Sequence, residues 1–157
     1  MNLELIVQDL YQPSTVEETT WVSWFQDWLQ TPGLDLPPAD TYELSLRLTT
    51  DSEIQALNSQ FRHQDKPTDV LSFAAMEVDF PRIGEDAADL SLYLGDIIIS
   101  VDTAVRQAPE HGYSLRKELA WLASHGLLHL LGWDHPNEAS LLLMLQQQEK
   151  LLACSGL

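Results

Sequence analysis

The segment His125-Gly-Leu-Leu-His129-Leu-Leu-Gly-Trp-Asp-His135 brings three imidazoles into a short run of chain. The apolar residues around the first two predict a helix. A spacing of four puts both histidines on one face of it, separated by about 6 Å along the axis. Gly132 then permits a sharp exit, after which the chain can fold back and carry His135 to the same point. Three neutral imidazoles suit one zinc ion and leave a fourth position for water, which is the arrangement of a catalytic site and not of a closed structural one. The alternative is three histidines that are near one another for no chemical reason. The residues between them are mostly leucine, however, and packing asks for histidine at none of the three places.

The familiar zinc-protease pattern has the same two-histidine spacing with a glutamate directly after the first histidine, acting as general base. Gly126 occupies that position here and can take no proton from a water. Glu118, seven residues before His125 on the same helical face, is expected to orient that ligand, the alternative being one solvated carboxylate among many. His63 and His111 lie in expected loops with no partner at ligand spacing and read as ordinary residues. Of the two, His63 is the better candidate to line a site.

Around this segment the chain alternates strands and helices. Residues 3–7 and 42–48 show apolar alternation, the second with a clear polar face. Between them Ser14 or Thr15 can cap a helix in which Trp21, Trp24, Phe25 and Trp28 recur at steps of three and four before Pro32 and Gly33. Such an aromatic stripe reads as core, with base stacking as the rival use. Asp51 begins a helix with Ile54, Leu57 and Phe61 on one face, which gives way after Arg62 to the turn-like segment His63 to Pro67. Val70 to Ala75 and Tyr93 to Ser100 read as strands. The acidic stretch Glu77 to Asp89 between them reads as a surface insertion or a flap. Ser100 or Asp102 caps a short helix interrupted by Pro109 and Gly112. Ser114 caps the histidine helix, which runs to about Leu131, and Asn137 caps a leucine-rich last helix reaching Leu152. This order implies an α+β or three-layer domain with a mixed sheet, one domain over residues 1–157.

Composition bounds the rest. At 157 residues, 45% hydrophobic and 20% charged, the chain can bury a core without cross-links. The lone Cys154 forms no internal disulfide and points to a reducing compartment. Asn2, Glu4, Gln8 and Asp9 break up the apolar residues at the start, so no signal peptide or membrane span is expected and the expected location is the cytoplasm. A net charge of −16 works against extended nucleic-acid binding, because affinity there comes largely from cations neutralising phosphates. Two local positive segments survive, one holding Arg62, His63 and Lys66 and the other Arg106, Arg116 and Lys117. They suit brief contact with a few nucleotides better than tight duplex binding.

Taken with three further blocks, the histidine motif resembles the YbeY family of bacterial metal-dependent endoribonucleases. The blocks are Leu57-Asn58 with Arg62, then Lys66-Pro67-Thr68-Asp69-Val70-Leu71-Ser72-Phe73, and Leu94-Gly95-Asp96-Ile97-Ile98-Ile99-Ser100. They span most of the chain after residue 50, whereas the first fifty residues and the acidic stretch match only loosely. The resemblance implies a zinc enzyme that cuts single-stranded RNA. It further implies action in ribosomal RNA maturation, including the 3′ end of the small-subunit RNA, and in ribosome quality control. The implied partners are RNA and ribosomal particles, with no DNA and no membrane. It assigns catalysis to Arg62 beside the metal ligand His125, and a guanidinium can indeed bind two oxygens of a phosphoryl group as charge builds there. Lys66 would join Arg62 in holding the substrate backbone. Two rivals remain at this point. One is a metal hydrolase of another substrate such as peptide, against which Gly126 speaks; the other is a non-enzymatic ribosome-assembly factor, against which an open metal position would speak. A further alternative for Arg62 is a simple surface pairing with Asp65 or Asp69.

Overall fold

The computed structural model describes residues 2–75 and 91–157, so the stretch Glu77 to Asp89 lies outside the described residues. Among the described residues nine elements follow one another: β1 (Asn2–Asp9), α1 (Glu18–Leu29), β2 (Thr41–Thr49), α2 (Asp51–Arg62), β3 (Val70–Ala74), β4 (Ser91–Ser100), α3 (Val101–His111), α4 (Leu115–Leu130) and α5 (Glu138–Cys154). The strands form one sheet in the order β1-β2-β4-β3. The pairs β1/β2 and β2/β4 are parallel and β3/β4 is antiparallel, which makes the sheet mixed, as expected.

Alternation in the strands sorts the layers. Leu44, Leu46 and Leu48 of β2 and Ile97 and Ile99 of β4 point to the face covered by α1, α3, α4 and α5, where they pack with Leu119, Leu127 and Leu128 of α4. Ile98 points the other way and meets Ile54 of α2 and Leu71 of β3 in a smaller cluster. The sheet is thus sandwiched, with most helices on one side and α2 on the other. Trp21, Phe25 and Trp28 are fully buried in the main core, with Phe25 and Trp28 meeting edge to face at 4.8 Å. The aromatic stripe is core, and base stacking on it is ruled out by that burial.

Capping explains most boundaries. Thr50, Ser100, Ser114 and Asn137 accept hydrogen bonds from backbone N–H groups at the starts of α2, α3, α4 and α5, and Asn137 forms a capping box with Ser140. Two expectations need correction. Helix α1 begins later than Ser14 or Thr15, with Glu17 at its N-cap and no side-chain cap, because the Ser14 hydroxyl bonds to Asp9 instead. Helix α3 also runs through Pro109, which sits in its last turn; Gly112 alone stops it, in a left-handed conformation.

Two glycines shape α4 and its exit. A Cβ on Gly126 would lie 2.8 Å from Ile97 Cγ2 and 3.0 Å from Ser72 Oγ, so α4 approaches β4 and β3 more closely there than any side chain allows. Ser72 Oγ donates to the Gly126 carbonyl at 3.2 Å across the same contact. At the other end Gly132 adopts φ +94°, a conformation that suits glycine and lets the chain leave the helix abruptly.

Candidate metal centre

Helix α4 carries His125 and His129 one turn apart, and their Nε2 atoms lie 3.0 Å from each other. Two 2.0–2.1 Å bonds to one tetrahedral ion would hold such atoms about 3.3 Å apart, so the pair is already near ligand spacing. After Leu130 the Gly132 N–H returns to the His129 carbonyl and the Trp133 N–H to that of Leu128, closing a tight turn. That turn delivers His135, whose ring centroid lies 5.7 Å from that of His125 and 5.5 Å from that of His129. One nitrogen from each of the three rings falls within 4.8 Å of the others, a grouping that could hold a metal ion. The three sequence-predicted ligands therefore converge.

Burial holds the protonation of His125 and His129 below the ordinary histidine range, and the neighbouring imidazoles push in the same direction. For His125 a hydrogen bond to Gln148 and the charge of Asp69 partly oppose this. For His129 a backbone bond at Trp133 and the charge of Asp134 do so. Neutral imidazole is the form that binds a metal, so the donor set fits a divalent cation of the zinc type.

Glu118 does not orient His125, contrary to expectation. Seven residues are two helical turns, about 10.5 Å along the axis, which is too far for a hydrogen bond. Its fully buried carboxylate instead meets His111 Nδ1 at 2.8 and 2.9 Å, tying the end of α3 to the start of α4. His111 is accordingly no isolated loop residue; it is the last residue of α3, with a carboxylate partner. His125 is supported by Gln148, whose Oε1 lies 3.2 Å from His125 Nδ1. Sequence reading missed this contact, and no local signal marks it, since α5 reaches α4 only through the fold.

His125 and His129 open into a cleft of about 730 Å³, walled by the end of α2, the segment leading into β3, and the turn after α4. Arg62 and Lys66 both line it, together with His125 and His129. Arg62 gives Nη2 to the Ser72 carbonyl at 2.8 Å and lies over the Phe73 ring at 4.9 Å, which fixes the plane of its guanidinium. Asn58, buried in α2, donates to the Lys66 carbonyl at 2.9 Å and so braces the loop that carries Lys66. His63 takes the left-handed conformation that ends α2 and is not among the cleft-lining residues. Asp69 and Asp134 are there, so the cleft sets Arg62 and Lys66 against two carboxylates in a chain of net charge −16.

A mixed-sheet α+β domain in which three histidines gather into a group that could hold a metal ion, two of them lining a polar cleft, has the architecture of a metal site open to a substrate. Comparison with known proteins narrows this. The family model described as "Endoribonuclease YbeY" matches residues 7–156. A relative named endoribonuclease YbeY in Nostoc sp. strain PCC 7120 is 58% identical over 147 residues, covering 94% of this chain and 79% of its own. Another of that name in Cyanothece sp. strain PCC 7425 is 55% identical over 161 residues, covering 100% and 95%. The solution structure of a protein from Thermotoga maritima superposes with a TM-score of 0.54 at 25% identity, over 96% of this chain and 90% of that one. The chain belongs to the YbeY family.

Proposed function

We propose that this protein is a zinc-dependent endoribonuclease that cuts single-stranded RNA in ribosomal RNA maturation, including the 3′ end of the small-subunit RNA, and in ribosome quality control. The relatives' name supports the reaction. The observation that carries the reading to particular residues is that Arg62 lines one cleft with His125 and His129, the two histidines that His135 joins in the three-histidine group.

His125, His129 and His135 would hold the ion, leaving a side open to the cleft. When bound, zinc supplies Lewis acidity that polarises a phosphoryl oxygen or acidifies a water. Arg62, with its plane fixed by Ser72 and Phe73, presents a delocalised cation able to engage two phosphoryl oxygens as charge develops on them. Lys66 supplies a second, more mobile charge to the backbone of the strand. Peptide hydrolysis of the zinc-protease kind is disfavoured, because the glutamate it uses would stand at Gly126, where even a Cβ meets Ile97 and Ser72. Single strands suit the site because the overall charge of −16 penalises a long duplex, whose phosphates would go unneutralised. Among the described residues no helix is long and apolar enough to cross a membrane; the place of work in this reading is ribosomal particles in the cytoplasm.

The test is cleavage of unstructured RNA at low salt by freshly purified protein, with duplex RNA and a casein-like substrate in parallel and His125→Ala as the contamination control. Single-stranded RNA should be cut by the parent alone, and the chemistry of the product ends reports whether water or the ribose 2′-OH attacks. Equal RNA cleavage by His125→Ala, or efficient peptide cleavage by the parent, would overturn the assignment.

A further inference from the structure

Gln148 is fully buried on α5, on the face that carries Met144, Leu151 and Leu152 into the core. A buried amide at such a position costs stability unless both of its ends are hydrogen-bonded, and leucine would fill the same space without that cost. Both ends are in fact engaged. Nε2 donates to the Trp121 carbonyl at 3.2 Å, and Oε1 lies 3.2 Å from His125 Nδ1. Trp121 stands one turn before His125 on α4, so the carboxamide spans the turn just below the first metal ligand.

The chemistry of these atoms fixes the direction of each bond. A backbone carbonyl only accepts, so the NH₂ of Gln148 must face Trp121. Oε1 is then turned to His125, and because an amide oxygen also only accepts, Nδ1 of that ring must carry the proton. Nε2 is left with its lone pair, directed at the point shared with His129 Nε2, 3.0 Å away. We propose that Gln148 is a positioning residue that locks His125 in its Nδ1–H tautomer and thereby commits Nε2 to the metal.

This role rests on the metal reading of the histidine group and goes beyond it. Free imidazole populates both tautomers, and a ring in the wrong one presents a proton where the ion should sit. The Gln148 amide removes that alternative before the metal arrives. Holding the Nδ1 proton also makes Nε2 a better donor, as partners of ligating histidines generally do.

Two measurements on the wild type and two variants test this. The tautomer of His125 is read by long-range ¹H–¹⁵N NMR in the metal-free protein at a pH where the ring is neutral, and zinc affinity is read by competition with a chromophoric chelator. Wild type should show His125 protonated at Nδ1. Gln148→Leu should shift the ring towards the Nε2–H form and weaken zinc binding about 10- to 100-fold. Gln148→Glu keeps an acceptor facing Nδ1 but gives up the donor to the Trp121 carbonyl, so it should preserve the tautomer and bind zinc more tightly than Gln148→Leu. Should Gln148→Leu fail to fold, the wild-type tautomer still decides. An Nε2–H ring in wild type, or a folded Gln148→Leu that binds zinc as tightly as wild type, would overturn the proposal. A wild-type protein with the expected tautomer but no zinc affinity would overturn the metal reading and with it the use assigned to Gln148. The two failures are separable because the tautomer is read without metal.

Discussion

Helix α4 has histidine chemistry near each end, and the two are built in opposite ways. At its start His111 from α3 faces the carboxylate of Glu118, which has no exposure to solvent. At its finish His125, His129 and His135 face one another, and among the described residues no carboxylate joins their group, while His125 and His129 line a cleft. A histidine opposite a buried carboxylate already has its partner. Three imidazole nitrogens within 4.8 Å of one another offer lone pairs that a single cation can take up together. What separates a structural histidine from a ligand here is therefore the partner. The closed end should answer to mutation through stability, and the open end through metal and catalysis.

The largest effect belongs to the open end. His129→Ala leaves two ligands, too few for tight zinc binding, so metal content measured on the purified protein should fall from about one equivalent to near zero. The fold should persist, because His129 is only partly buried. Equal occupancy in mutant and parent would break the contrast at its root. Next comes Arg62→Ala, expected to keep fold and metal while RNA cleavage drops about 10²- to 10³-fold, the range for losing one preorganised electrostatic contact. Arg62→Lys should recover little of this, since an ammonium cannot engage two oxygens in a plane. If the alanine variant cleaves as fast as the parent under matched metal loading, Arg62 has no part in the chemistry.

The closed end should behave differently. His111→Ala strips the buried Glu118 carboxylate of the partner that both its oxygens contact and should cost about 1–3 kcal/mol of stability in denaturant unfolding. Zinc content and the tautomer of His125 should not change. A loss of metal without a loss of stability would mean that the ends of α4 had been assigned the wrong way round.

The open end was legible in sequence and the closed end was not, for a physical reason. Two histidines four apart on a helix meet by local geometry, and Gly132 announces the turn that returns His135. The caps Ser114 and Asn137 were legible on the same grounds, since an N-cap acts within three residues. By contrast, the partners of Glu118 and His125 depend on how α3 and α5 pack against α4. Spacing alone put Glu118 on the correct face but two turns from the ligand it was expected to hold. Periodicity did place Trp21, Trp24 and Trp28 in the core, as they are, but it could not say that β4 would insert between β2 and β3. Arg62 reached the site through the family resemblance; nothing in its own neighbourhood of the sequence points to a cleft shared with α4.

The smallest expected effect is the response of the metal-free protein to acid. Burial lowers the proton affinity of His125 and His129 in the folded state relative to the ordinary value of 6.5. The unfolded chain therefore binds protons at these positions before the folded one does, and stability falls as pH drops from 6.5 through the lowered folded values. Above 6.5 both states are neutral there and the contribution is fully present. The measurement is the change in unfolding free energy between pH 7.5 and 5.5 for the metal-free parent and for a His125→Gln/His129→Gln variant. The variant should lose less stability over that interval, with a difference smaller than the cost of His111→Ala. Zinc should oppose the loss in the parent alone, because it binds the neutral rings and competes with protons for the same nitrogens. Identical pH dependence in the two proteins would show that the open end is less buried than its geometry implies.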